Sequence, residues 1–144
     1  MGKQAINPGQ SAPGPLGAYS HAIRVGDLLF ISGQGCRDAK TGVERGLTLD
    51  ESGKVLAYDI EAQTRGVLDN LGVVLKHAGL DYSDVVDITV FLHDMNDFER
   101  YNKVYATYFS HLPVPPCRTT VQVARLPGRN YIEMKAIASF AKEI

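Results

Sequence analysis

Apolar residues along this chain keep two different periods, and the changes between them mark the elements. Ala22-Ile23-Arg24-Val25 and Leu28-Leu29-Phe30-Ile31-Ser32 are short apolar runs separated only by Gly26-Asp27, which predicts two strands joined by a tight hairpin. Gly33-Gln34-Gly35 then breaks the second strand, and glycines there let the backbone approach a packed neighbour or a ligand. From Asp59, a helix cap, to about His77 the period lengthens. Ile60, Thr64, Val67, Leu68, Leu71, Val74, Leu75 and Ala78 recur every three or four residues and form one stripe. Glu61, Arg65, Asp69 and Lys76 take the other face, and Gly79 ends the helix. Val85 to His93 is β-branched and predicts a central strand. Asn96 or Asp97 caps a second helix to about Ser110, with Phe98, Tyr101, Tyr105, Tyr108 and Phe109 to pack and Pro113 to stop it. A strand over 118–124 follows, and another, Tyr131 to Phe140, closes the chain after a Leu126-Pro127-Gly128 turn.

Two stretches lack a period. Residues 1–17 are rich in Pro, Gly and polar residues and read as an irregular arm. Residues 36–58 form a long polar connection with room for one small hairpin, expected to fold over a neighbouring surface. The order β-β-loop-α-β-α-β-β, without repeat or boundary, predicts a single α+β domain over 1–144, with one sheet and both helices on one face. No helix remains to cover the other face, so a closed homo-oligomer is expected.

Composition narrows the function classes. A net charge of −1 argues against nucleic acid as a partner, because phosphate binding needs a basic surplus, and against a ribonuclease role. No apolar run approaches a membrane span, and the N-terminus has no signal-peptide core. Cys36 and Cys117 have neither zinc nor CxxC spacing, as expected of free thiols in a reducing cytoplasm. His21, His77, His93 and His111 show no metal-site spacing.

The stretch Val114-Pro115-Pro116-Cys117-Arg118-Thr119-Thr120-Val121-Gln122-Val123 carries the first candidate chemistry. Alternation puts Arg118, Thr120 and Gln122 on one face and Thr119, Val121 and Val123 on the other, apolar one. A guanidinium on a rigid strand matches a carboxylate bidentately. In the last strand Tyr131, Glu133, Lys135, Ile137 and Ser139 share a face. A glutamate inside a strand is either solvated or functionally paired, and Arg118 is the expected cation.

Several motifs resemble the Rid/YjgF family of cofactor-free imine and enamine deaminases. They are Ala18-Tyr19-Ser20-His21-Ala22, Ile31-Ser32-Gly33-Gln34, Ile60-Glu61-Ala62-Gln63-Thr64-Arg65, Leu68-Asp69-Asn70-Leu71, Asp97-Phe98-Glu99-Arg100-Tyr101-Asn102-Lys103-Val104-Tyr105, Cys117-Arg118 and Ile132-Glu133-Met134-Lys135-Ala136-Ile137-Ala138. The resemblance implies a chorismate-mutase-like fold assembled as a homotrimer, with sites in clefts between subunits and neither cofactor nor metal. It implies that Arg118 clasps the substrate carboxylate and Glu133 orients or activates a water. Tyr19, the backbone at Ser32 and Gly33, and Asn102 would line the cleft. Cys117, His21 and Lys135 depart from the usual family pattern. The longer 36–58 segment, with Arg37-Asp38-Ala39-Lys40-Thr41-Gly42 and Tyr58-Asp59-Ile60-Glu61, resembles the 2-aminomuconate deaminases of bacterial aromatic catabolism.

The expected reaction is therefore hydrolytic deamination of 2-aminomuconate, with Arg118 on the C1 carboxylate and Glu133 as general acid and base. The alternatives are a broad 2-imino-acid deaminase and a non-catalytic ligand binder. A second carboxylate would need Lys135, Arg125 or Arg129. His21 is a candidate proton donor to the enamine carbon or a hydrogen-bonding residue at the cleft mouth.

Overall fold

The computed structural model describes residues 2–142; Met1 of the expected arm and the last two residues of the expected 1–144 domain lie outside the described residues. In chain order the elements are β1 (Gln4–Ile6), β2 (Ala22–Val25), β3 (Leu28–Gln34), β4 (Leu47–Leu49), β5 (Val55–Tyr58), α1 (Ile60–His77), β6 (Val85–Leu92), α2 (Phe98–Phe109), β7 (Cys117–Gln122) and β8 (Ile132–Ser139). Six strands form one sheet in the order β1-β2-β3-β8-β6-β7, while β4 and β5 pair separately as a small hairpin within the 36–58 segment. The β6–β7 pair is parallel and every other pair antiparallel, so the sheet is mixed. The fold is thus α+β, with both helices on one face.

Local chemistry explains the main elements. The β2–β3 turn has Gly26 at φ +59°, with no positive φ at Asp27, as expected of a two-residue hairpin that needs glycine first. The Asp59 carboxylate accepts from the backbone N–H groups of Glu61 and Ala62 and starts α1. Val67, Leu68, Leu71, Val74 and Leu75 of α1 are fully buried against Leu29, Ile31, Ile88, Met134 and Ala138 of the sheet. Tyr101, Tyr105 and Phe109 bring α2 into the same core. Each such aliphatic side chain contributes about 1.5–3 kcal/mol.

Three local expectations are corrected. The arm is not wholly irregular: β1 pairs with the free edge of β2, and Gly9–Ser11 form a 3-10 turn. An edge strand's unpaired backbone groups recruited a segment whose own sequence has no strand signal. Asp97 stands at the N-cap of α2 as expected, but the side-chain cap is made earlier, by Asp94, which accepts from the Asn96 N–H at the start of a 3-10 turn preceding α2. Asp97 makes no side-chain cap and instead accepts from the Tyr58 hydroxyl at 2.6 Å.

The third correction concerns which face of β7 is covered. Ile88↔Arg118 and Val90↔Thr120 are register partners, so Arg118 and Thr120 share the helix-covered face. Thr119 and Val121, on the face expected to be the apolar one, are exposed on the open side of the sheet. The aromatic residues of α2 reverse the pattern. The Tyr101 hydroxyl meets Thr120 Oγ1 at 2.6 Å, and the tyrosine rings lie beneath the arginine. On the open face Glu133, Phe91 and Val121 form one cross-strand row and Lys135, Thr89 and Thr119 the next. Leu28, Phe30 and Val121 there are about two-fifths exposed (41%, 39% and 39%). That uncovered apolar surface is what the expected oligomer would bury.

Candidate functional site

Arg118 lies on the edge strand with its guanidinium carbon 4.6 Å from the Tyr105 ring centroid, 5.4 Å from Tyr101 and 5.6 Å from Phe98. Aromatic faces attract the cation without neutralising it. Its Nη1 donates to Asn102 Oδ1 at 2.7 Å, and one turn of α2 supplies both Asn102 and Tyr105. No ion pair among the described residues involves Arg118. The guanidinium therefore keeps donors for an external anion. A groove of about 420 Å³ lies beside it, walled by Asn102, Tyr105, Ser110, Pro115 and Pro116. The Tyr105 hydroxyl is sealed without a hydrogen-bond partner among the described residues, and burial pushes its pKa up to about 12.

Glu133 projects from the open face of β8 toward β3. A Cβ at position 33 would lie 2.5 Å from its Oε2, so Gly33 is the residue that admits this carboxylate. Burial raises the Glu133 pKa, and no neighbouring cation offsets the effect. A carboxyl shifted this way can take and return a proton closer to neutrality than an exposed glutamate. It faces a cavity of about 300 Å³ whose wall includes Tyr19, His21, Gly33, Arg37 and Asn70.

Residues 13–19 form one side of this cavity and are tied down at consecutive carbonyls. His21 Nε2 meets the Pro13 carbonyl at 2.7 Å, and Arg37 Nη2 donates to the Gly14 carbonyl at 2.6 Å. The other His21 ring nitrogen meets Asn7 Oδ1 at 3.3 Å, and the imidazole is buried. A donor role for His21 thus finds both ring nitrogens occupied by the arm. The Tyr19 hydroxyl accepts from the Leu16 N–H at 3.1 Å, and its ring remains about half exposed at the cavity mouth. Ser32 Oγ donates to the Ser20 carbonyl, which leaves its backbone next to Gly33 as its contribution here.

The sequence reading paired Glu133 with Arg118, and within one chain that pairing is absent. Register places Arg118 with Ile88 on the helix face and Glu133 with Phe91 on the open face, with β6 between them. The other candidate cations are also redistributed. Arg129 is committed to Glu44, with Nε 3.2 Å from Oε1 and its backbone N–H donating to Oε2. Lys135 is exposed on the open face, and neither it nor Arg125 lines the Glu133 cavity. Cys36 is buried beside Asn130, and its thiol pKa is pushed up to about 11 by burial, which makes it inert; Cys117 is exposed on β7.

The sequence reading missed the cavity's supports. Gln63 on α1 donates to the Arg45 and Arg129 carbonyls and accepts from the Tyr131 N–H. Asn70, one helical stripe further, donates to the Gly35 and Arg37 carbonyls. Asn130 accepts from the Cys36 N–H and donates to the Pro127 carbonyl. Each is a buried amide satisfied by backbone groups, and for Gln63 and Asn70 the available signal is a polar residue beside the apolar stripe of α1. Arg37 enters the sequence analysis only within the Arg37–Gly42 motif, with no role of its own.

Among known proteins, a fold of this kind with the same chain order recurs at high similarity. The Endoribonuclease L-PSP family model matches residues 9–140. A RutC family protein of Pyrococcus horikoshii is 44% identical over 129 residues, covering 90% of this chain and 92% of that protein. A 2-iminobutanoate/2-iminopropanoate deaminase of Salmonella typhimurium is 37% identical over 130 residues, with 90% and 92% coverage. The crystal structure of Escherichia coli TdcF with bound serine superposes with a TM-score of 0.80 at 34% identity, covering 94% of this chain and 98% of that one. The chain belongs to the Rid/YjgF (L-PSP) family.

Proposed function

We propose that the protein is a hydrolytic deaminase of 2-imino acids and their enamine tautomers, acting without a cofactor. The observation that carries this reading is the half-buried, unpaired carboxylate of Glu133 set against Gly33 in a cavity. The similarity to a 2-iminobutanoate/2-iminopropanoate deaminase supports small 2-imino acids ahead of a dedicated 2-aminomuconate enzyme. The cations expected for a second muconate carboxylate, Arg129, Lys135 and Arg125, are each engaged elsewhere or outside the cavity.

In this reading Arg118 takes the substrate carboxylate in two parallel charge-assisted hydrogen bonds, with Asn102 fixing the guanidinium. An enamine first gains a proton at carbon and becomes the imine. Water then attacks C2 of the protonated imine while Glu133 accepts a proton from the water, and the C=N electron pair moves to nitrogen to give a neutral carbinolamine. Glu133 returns that proton to nitrogen; the C–N bond breaks as an oxygen lone pair closes the C=O, the hydroxyl proton passes back to Glu133, and ammonia and the 2-oxo acid leave. One imino acid and one water give one oxo acid and one ammonia.

Since Arg118 and Glu133 occupy opposite faces of one sheet, the complete site joins the Arg118 groove of one copy to the Glu133 cavity of another. The open apolar face supports self-association, a trimer in this reading. The direct test measures 2-oxo acid formation above the spontaneous rate from freshly generated 2-iminopropanoate, without added metal or cofactor. Acceleration lost in Glu133→Gln is expected; a rate equal to the spontaneous one would leave a binding protein.

A further inference from the structure

Among the described residues, Arg37 is the one arginine or lysine lining the Glu133 cavity. It comes from the loop after β3, is half-buried, and belongs to none of the ion pairs among the described residues. Its neighbour Asp38 offers it no compensation. That carboxylate accepts from the Lys40 and Thr41 N–H groups and lies 3.9 Å from Arg45. Among the described residues, the one hydrogen bond from the Arg37 guanidinium runs from Nη2 to the Gly14 carbonyl. Asn70 grips the Arg37 backbone carbonyl at 2.9 Å, so the side chain springs from a fixed point. A latch to one backbone carbonyl orients the planar fork and leaves its other N–H groups without a partner among the described residues, on a side chain that lines the cavity.

The Gly14 carbonyl needs only a neutral donor, so the latch does not by itself account for a guanidinium at this position. A bound anion accounts for the charge. Arg118 already answers the carboxylate next to the imine carbon in the reading above. We propose that Arg37 is a specificity-determining residue that receives a second carboxylate, at the end of the substrate remote from C1, so that dicarboxylic 2-imino acids are preferred. This rests on the deaminase reading and extends it to a substrate class.

The test compares 2-iminoglutarate and 2-iminopropanoate, generated in situ by oxidation of glutamate and alanine, on the wild-type protein, Arg37→Met and Arg37→Lys. Wild type is expected to favour 2-iminoglutarate. In Arg37→Met the ratio of the two kcat/KM values should fall about 10- to 100-fold, the worth of a hydrogen bond to a charged group. Arg37→Lys, which keeps the charge, should retain part of the preference. Equal loss on both substrates would reduce Arg37 to a latch for the arm and overturn the proposal, as would an unchanged ratio or a wild type without preference. Inactivity of wild type on both substrates would sink the deaminase reading instead. Binding of 2-oxoglutarate against 2-oxobutanoate, measured by calorimetry on the same three proteins, then decides the role of Arg37 separately. Loss of selective 2-oxoglutarate binding in Arg37→Met sustains it, and equal binding overturns it.

Discussion

Arg118 and Glu133 project from opposite faces of the same sheet, separated by the single strand β6. One side chain lies over the rings of α2, while the other sits against Gly33 on the face no helix covers. Two groups proposed to act on one small molecule are thus incomplete in one chain. The apolar open face beside Glu133 provides a physical reason for a second copy to complete them.

The contact between Gly33 and Glu133 makes a sharp prediction. An alanine methyl at position 33 would collide with the tip of the carboxylate, not with backbone, and Gly33 itself is exposed. The fold should therefore accommodate Gly33→Ala by swinging Glu133 aside. Thermal unfolding should change little, whereas kcat should fall about a hundredfold, the scale of an ångström-sized misplacement of a reacting group. A kcat close to wild type would mean that the position of Glu133 is not limiting.

Burial of Glu133 sets the sign of a pH effect. Its native pKa is raised above the unfolded value, so below the unfolded value both states hold the proton and nothing is lost. As pH rises through the native pKa, the native state must hold a buried charge and stability declines. Glu133→Gln should raise Tm at neutral pH, and the gain should shrink toward pH 4. The same titration should appear in the wild-type kcat/KM as a rising limb above the ordinary glutamate range. Melting curves of both proteins between pH 4 and 8 check the first part, and a pH–rate profile checks the second.

Much of the scaffold was legible because period and caps are local properties. The α1 stripe, the Asp59 cap and the Gly26-Asp27 turn each follow from a few neighbouring residues. The candidate site was legible as residue types but not as an arrangement. Alternation located Arg118 and Glu133 on their strands correctly, yet the faces depend on strand order and on tyrosines of α2 that only the fold brings beneath β7. β1 was invisible because an edge strand is chosen by its partner's unpaired backbone. Arg37 is visible only as part of a loop motif, because nothing in a loop sequence says which way a loop folds.

His21 should behave as a fastener for the arm. Its imidazole is buried with contacts to the Pro13 carbonyl and Asn7 Oδ1. His21→Ala should destabilise the protein by about 1–2 kcal/mol for the lost hydrogen bonds. It should also expose residues 8–19 to proteolysis and rapid amide exchange. Because residues 13–19 wall the Glu133 cavity, KM should rise more than kcat falls. Unchanged exchange across 8–19 would show that β1 and the Arg37 contact alone hold the arm.

The sharing of a site between copies can be tested without a structure of the assembly. Arg118→Ala and Glu133→Gln should each be inactive while retaining the wild-type fold, since Arg118 is at a sheet edge and Glu133 has no ion pair among the described residues to lose. If each site takes Arg118 from one copy and Glu133 from another, mixing the two variants through dissociation and reassembly creates intact sites. One subunit arrangement in four combines the unaltered Arg118 with the unaltered Glu133, so equal mixing should restore up to about a quarter of wild-type activity. The restored activity should depend on exchange, appearing only after dissociation and reaching its maximum at equal proportions. Mass spectrometry of differently tagged variants verifies that mixed assemblies have formed. With exchange verified, a mixture as inactive as its components would show that the two residues do not complete one another's site across an interface.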